Sequence, residues 1–159
     1  ETLFNMLQDK LPDINFLDLF SGSGGIGIEA LSRGAHKAYF VENNRNACNI
    51  IKENLDYTHL SGQAHVMNCT AIDAVHKLSG KEKFHVVFMD PPYNKGLEFQ
   101  VISDPLFGTI LYEDAIVIVE ADIDTAFEQE DIKGFNIIKE KLYKTNKHIF
   151  LQISRDNRN

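Results

Sequence analysis

At 159 residues with 43 % hydrophobic content, the chain can bury one sizeable core, and no linker-like stretch divides it, so a single domain over residues 1–159 is expected. No run approaches the roughly 18–20 apolar residues of a membrane span and no basic segment followed by an apolar one opens the chain, which predicts a cytoplasmic protein with no membrane partner. The formal net charge of −7 argues against free nucleic acid as partner, because affinity for bare phosphate backbones comes mostly from Lys and Arg.

In chain order, Glu1–Leu11 reads as a helix entered in mid-course, and with Glu rather than Met in first place a preceding segment is expected. Apolar runs bounded by turn residues then alternate with stretches of helical period. Strands are predicted over Ile14–Phe20, Lys37–Glu42, Gln63–Asn68, Phe84–Met89 and Ala115–Glu120. Between them, Asn44–Tyr57 places Ala47, Ile50, Ile51 and Leu55 on one stripe of an amphipathic helix, and Ala71–Leu78 and Leu97–Phe107 are shorter helical candidates. This alternation is the signature of repeated βα units and a mostly parallel sheet. After residue 134, Phe135–Tyr143 and His148–Ile153 flank a Lys144-Thr145-Asn146-Lys147 turn, predicting an antiparallel hairpin. From residue 133 onward seven Lys or Arg face two acids, about +5, whereas residues 1–132 carry nine against twenty-one, about −12; the hairpin reads either as a basic binding face or as an ordinary solvated one.

Cys48 and Cys69 have no CxxC spacing and lie in apolar contexts, which fits reduced thiols rather than a disulfide framework or a zinc site. The six histidines are scattered without ligand spacing. No metal is expected.

Directly after the first strand comes Asp18-Leu-Phe-Ser-Gly22-Ser23-Gly24-Gly25-Ile-Gly27, and the next strand ends in Glu42. Gly22-x-Gly24-x-x-Gly27 with a later acid is the dinucleotide fingerprint, in which glycines let the backbone approach a ligand at a helix N-terminus. Asp18 shifts the reading. A carboxylate at the end of that strand is awkward beside a pyrophosphate but favourable beside an ammonium and a sulfonium, and S-adenosylmethionine carries both cations and no phosphate. Glu42 suits either cofactor, because a strand-end carboxylate can accept two hydrogen bonds from ribose hydroxyls. At the third strand end, Cys69-Thr70-Ala71 would lie near the adenine, and Asn43 either reaches the base or opens the next helix. The structural alternatives are a plain tight turn for the glycines and an N-cap-like role for Asp18.

The fourth strand ends on Asp90-Pro91-Pro92-Tyr93. A carboxylate, two rigid prolines with fixed carbonyls and an aromatic ring present an acceptor and a flat stacking surface at one point, a set suited to a planar substrate with an amino group. A rigid turn leaving the strand is the alternative.

The run Asn15-Phe-Leu-Asp-Leu-Phe-Ser-Gly-Ser-Gly-Gly-Ile-Gly-Ile-Glu-Ala-Leu-Ser-Arg-Gly-Ala35, with Phe40-Val-Glu-Asn43 and Met89-Asp-Pro-Pro-Tyr93, closely resembles the RsmD-type methyltransferases, and Glu1-Thr-Leu-Phe-Asn-Met-Leu7 resembles the helix that precedes their glycine loop. The resemblance covers essentially the whole chain. It implies a Rossmann-like class I methyltransferase fold, a mostly parallel seven-stranded sheet with a C-terminal antiparallel hairpin and helices on both faces. It also implies S-adenosylmethionine as cofactor and N2 of a guanine in small-subunit (16S) ribosomal RNA as acceptor. Carried over residue by residue, Asp18, Gly22 and Gly24 would hold the methionine end, Glu42 the ribose, and Asp90, Pro91, Pro92 and Tyr93 the target base. Two departures stand out. Where many relatives carry an Asp to bond the adenine amino group, this chain has Thr70, and the basic N-terminal segment with an Arg-Pro-Thr element is absent.

On that resemblance, Asp90 and the Pro91 carbonyl would bond the amino hydrogens and draw the nitrogen lone pair out of the ring, with Tyr93 stacked on an unstacked base. The acidic balance suggests a 30S particle, assembled or assembling, rather than bare RNA as substrate. The competing readings are an amino methyltransferase acting on DNA adenine N6 or a protein glutamine, a Rossmann oxidoreductase, and a non-catalytic RNA-binding or ribosome-assembly module.

Overall fold

The computed structural model describes residues 2–154. They fall into two compact units divided between Ala74 and Val75. Glu1, and the charges of Arg155, Asp156 and Arg158 counted with the hairpin, lie outside the described residues.

In the first unit, helix α1 (Thr2–Leu7) passes into a 3₁₀ turn, Gln8–Lys10, and is followed by β1 (Asn15–Asp18), α2 (Gly25–Ser32), β2 (Lys37–Val41), α3 (Arg45–Tyr57) and β3 (Ala64–Met67). The three strands run parallel in the order β3-β2-β1, with Phe16 opposite Ala38 and Tyr39 opposite His65. Every residue of β1 is buried, the pattern of a parallel strand covered on both faces. Phe16, Leu17, Phe40, Ile51 and Leu55 form its core. Burying each such side chain is worth roughly 1.5–3 kcal/mol, so these positions set the register.

Helix α3 begins at Asn44, whose side chain accepts the Ala47 N–H, an N-cap that satisfies one of the orphan donors of the first turn. Its buried stripe is Cys48, Ile51 and Leu55, whereas Ile50 is 46 % exposed. The predicted stripe is therefore rotated by part of a turn: the small Cys48 goes inward in place of Ile50.

The division between the units falls inside α4 (Ala71–Leu78). The second unit contains β4 (Phe84–Met89), α5 (Leu97–Ser103), β5 (Leu111–Asp122), β6 (Phe135–Leu142) and β7 (Asn146–Ile153). Its strand order is β4-β5-β7-β6, parallel for the first pair and antiparallel for the others. The C-terminal hairpin is present as predicted. Its core consists of Phe84, Val87, Phe88, Met89, Phe107, Val117, Ile118 and Leu151.

Several boundaries differ from the predicted ones. Helix α5 ends at Ser103 rather than Phe107, because Asp104 precedes Pro105 and is held extended at ψ 129°, as the proline ring requires of its neighbour. Strand β5 begins at Leu111, but its pairing with β4 jumps from Phe84↔Leu111 to Val86↔Ile116. The polar residues 112–114 bulge outward there, and the apolar run that marks the strand starts only at Ala115. Strand β7 begins at Asn146, two residues earlier than predicted.

Candidate active site

The glycine loop is built at the end of β1. Asp18, 1 % exposed, closes the strand. Its Oδ1 accepts the Phe20 N–H at 3.4 Å, and its carbonyl accepts the Ser21 hydroxyl at 3.0 Å. Gly22 and Gly24 stand at φ +57° and +87°, a left-handed conformation that glycine enters without penalty. Between them Ser23 is exposed, with its carbonyl accepting the Asn54 side-chain amide at 3.1 Å.

Gly27 serves packing rather than turn geometry. A Cβ there would sit 2.4 Å from Cε2 of Phe40, so only glycine lets α2 lie this close to β2.

Glu42 follows β2 and ties the loop down. One carboxylate oxygen accepts the Gly22 N–H at 2.8 Å and the other accepts the Asn44 N–H at 2.9 Å. The Glu42 carbonyl accepts the Asn68 side-chain amide at 3.0 Å and the Cys48 thiol at 3.2 Å. Burial, then the Glu42 charge, pushes the Cys48 thiol up, so it stays protonated and structural. Asn43 is exposed beside it. At the end of β3, Cys69 and Ala71 are buried and Thr70 is exposed. The Thr70 hydroxyl accepts the Asp73 N–H at 3.1 Å and its carbonyl accepts the Ala74 N–H, so Thr70 caps α4 while its own O–H proton is not used in that bond.

The first unit thus gathers Asp18, Gly22, Ser23, Gly24, Glu42, Asn43, Cys69, Thr70 and Ala71 at the C-terminal ends of three parallel strands. A ligand with ribose hydroxyls and a cationic amino-acid end fits this donor set. Each Glu42 oxygen uses one acceptor direction on the backbone and has another to offer. A Cβ at Gly22 or Gly25 would meet nothing within 4 Å, so the loop leaves open space along its backbone.

The second unit carries Asp90-Pro91-Pro92-Tyr93 directly after β4. Pro91 is buried, while Asp90, Pro92 and Tyr93 are exposed, Tyr93 by 49 %. The run then turns sharply through Asn94 and Gly96, both at positive φ, into α5. Asn tolerates this conformation better than most residues. Although Asp90 as a residue is open to solvent, its carboxyl is pushed up to about 6, first by the partial burial of the group, then by the Glu120 charge, with His148 acting in the opposite direction. The Tyr93 phenol is likewise raised, by burial and then by Asp90, Glu120 and Asp122.

Two residues missed at the sequence level belong beside Asp90. Met89 pairs with Val119, so Asp90 just beyond β4 and Glu120 on β5 each follow a member of one register pair, and Glu120 pairs with His148. His148 Nε2 lies 2.9 Å from Glu120 Oε1. Glu120 carries the same signal as Glu42, an acid near the end of an apolar strand. His148 gives none, since its partner is 28 residues away and only the antiparallel register brings them together.

The family model described as conserved hypothetical protein 95 matches residues 1–152. Ribosomal RNA small subunit methyltransferase D of Haemophilus influenzae is 36 % identical over 142 residues, 89 % of this chain and 72 % of that protein. The chain belongs to the RsmD-type family of ribosomal RNA small-subunit methyltransferases. The Escherichia coli member bearing the same description is 37 % identical over 78 % of this chain and 61 % of its own length. Among solved structures, a conserved hypothetical protein from Streptococcus pyogenes superposes with a TM-score of 0.81 at 32 % identity, covering 96 % of this chain and 94 % of the other. The predicted fold class, Rossmann-like with seven strands and a C-terminal antiparallel hairpin, is borne out.

Among the described residues no helix is long and apolar enough to cross a membrane. Among them, too, no group of three or more His, Cys, Asp or Glu side chains could hold a metal ion.

Proposed function

We propose that the protein methylates the exocyclic N2 amino group of a guanine in 16S ribosomal RNA, within an assembled or assembling 30S particle, with S-adenosylmethionine as methyl donor. The observation that carries this reading is the loop after β4, where a carboxylate, two prolines and an exposed aromatic ring follow one another at the strand end. The names of the family's small-subunit ribosomal RNA members support the substrate class.

When bound, S-adenosylmethionine supplies an electrophilic methyl group on a sulfonium. Asp18, Gly22, Ser23 and Gly24 would hold its methionine end, Glu42 its ribose, and Asn43 with Cys69, Thr70 and Ala71 its adenine. The buried Asp18 carboxylate favours a cationic group beside it and disfavours a pyrophosphate, which is why a nicotinamide cofactor fits less well.

The acceptor is activated by Asp90, Pro91, Pro92 and Tyr93. An aryl amine is a poor nucleophile because its lone pair is delocalised into the ring. A carboxylate and a carbonyl that accept the two amino hydrogens favour a pyramidal nitrogen with an available lone pair, and the proline rings fix the carbonyl direction beforehand. Tyr93 offers its face to the base, which must leave its stack at least cost from a loop or single strand. Rate is then gained by orientation rather than by a covalent intermediate.

The reading is tested by offering labelled S-adenosylmethionine and three acceptors in parallel: unmethylated small subunits, adenine-rich DNA, and ribosomal proteins. Label confined to the subunit RNA supports it; label in DNA or protein moves the assignment to another amino group.

A further inference from the structure

One row of side chains in the second unit has no role in the reading above. Glu120 on β5 lies opposite His148 on β7, and His148 lies opposite Lys141 on β6. His148 is 7 % exposed, with Nε2 2.9 Å from Glu120 Oε1 and Nδ1 3.5 Å from the Tyr143 hydroxyl. The rings of Phe88 and Tyr143 meet it edge-on, at 6.3 and 5.0 Å between centroids. An ionisable pair is a costly way to fill two neighbouring strand positions, since a buried His against a half-buried carboxylate gains little over apolar side chains of similar volume. Asp90 directly follows Met89, whose register partner Val119 directly precedes Glu120, and no bond joins Asp90 to the pair among the described hydrogen bonds.

We infer that the Glu120–His148 pair is a positioning device that sets how strongly the Asp90 carboxylate holds the proton given up by the acceptor amino group. The inference rests on the methyltransferase reading and deepens it. Methylation leaves the acceptor nitrogen with one proton more than the neutral product holds. That N–H bond breaks with its electron pair remaining on nitrogen, and an O–H bond forms on Asp90. A carboxylate of ordinary acidity is a weak acceptor for that proton, whereas one raised toward neutrality is better matched.

The pair acts on Asp90 with opposite signs. The Glu120 charge disfavours ionisation of Asp90, and a protonated His148 favours it. The other titratable or charged groups about the loop are Tyr93 and Lys95 within it, Glu98 in the first turn of α5, Asp122 further along β5, Tyr143 at the hairpin turn and Lys141 across from His148. Tyr143 holds the far nitrogen of the imidazole, so the ring keeps Nε2 toward Glu120.

The two members of the pair should therefore move Asp90 in opposite directions when removed singly, which a purely structural pair would not do. The test is a carbon-13 NMR titration of the Asp90 carboxyl in the cofactor-free full-length protein, for the wild type, Glu120→Gln and His148→Gln, with Asp90→Asn assigning the resonance. Asp90 should titrate near 6 in the wild type, lower in Glu120→Gln and higher in His148→Gln. The acidic limb of kcat for methyl transfer to small subunits should move the same way in each variant, while KM for the subunits stays within about twofold. Both variants retain a hydrogen-bonding side chain of similar size, and thermal melting checks that each is folded. Identical Asp90 titrations in all three proteins, or a shift in the same direction in both variants, would overturn the inference. Absence of methyl transfer by the wild type would withdraw the functional reading and with it the role given to the pair, whatever the titrations show.

Discussion

Gly22 and Glu42, twenty residues apart, are joined by a hydrogen bond of 2.8 Å from the glycine N–H to the glutamate carboxylate. The loop that would cradle one end of the cofactor is thus tied by the side chain proposed to hold the ribose. Cofactor contact and loop shape share one group. Glu42→Gln should weaken S-adenosylmethionine binding roughly ten- to a hundredfold, the 1.5–3 kcal/mol of a charge-assisted bond. Calorimetric titration checks this, and an affinity within twofold of the wild type would remove Glu42 from the ribose contact.

Gly27 tests the packing beneath the loop. Gly27→Ala places a methyl where Phe40 already stands, and overpacking of this kind costs about 1–3 kcal/mol. Because Phe40 is a large core ring on β2, Phe40→Leu in the same chain should recover part of the loss. Urea denaturation of the single and double variants measures the coupling. Additive losses would mean that the clash is relieved elsewhere.

The raised Asp90 carboxyl predicts how stability depends on pH. A carboxyl held above its unfolded value is stabilising only while protonated, so that contribution is fully present below about pH 4, falls as pH rises, and is lost above about 6. Because the residue is open to solvent, the cost of ionising it is on the order of 1 kcal/mol, well below what the full shift implies. Asp90→Asn should accordingly be more stable than the wild type by about that amount at pH 8 and indistinguishable at pH 4, as thermal melting at the two pH values can show. The same substitution should lower kcat at least about a hundredfold while leaving cofactor affinity within a few-fold. Unchanged turnover would take Asp90 out of the chemistry.

Tyr93 is predicted to act through its ring. Tyr93→Phe should retain most of the turnover. Tyr93→Ala should raise KM for the RNA substrate by roughly five- to a hundredfold, the ~1–3 kcal/mol that stacking of one base on an aromatic ring contributes. Loss of activity in Tyr93→Phe equal to that in Tyr93→Ala would point to the hydroxyl instead.

What the sequence disclosed follows from how local each signal is. Asp18, the glycines and Glu42 lie at strand ends whose apolar runs are unbroken, and Asp90–Tyr93 directly follows β4, so strand ends and site residues could be read together. Strand β6 resisted a face assignment, because after Phe135 every residue is exposed and no inside-outside alternation exists to read. The start of β5 was hidden by its bulge. The stripe of α3 was misplaced by a fraction of a turn because Cys48, a small thiol that donates to the Glu42 carbonyl, looks less like a core residue than Ile50. The ends of α4 coincide with the predicted ones, and the cap that Thr70 supplies stands directly before it. The Glu120–His148 pair depends on strand register, which no short window of sequence contains.

Full-length protein would be incubated with labelled S-adenosylmethionine and small subunits lacking the modification, and the RNA digested to nucleosides. Label is expected in N2-methylguanosine at one mole per mole of subunit, and at least about a hundredfold more slowly with Asp90→Asn. Label in any other nucleoside, or none in the RNA despite demonstrable cofactor binding, would contradict the assignment to guanine N2.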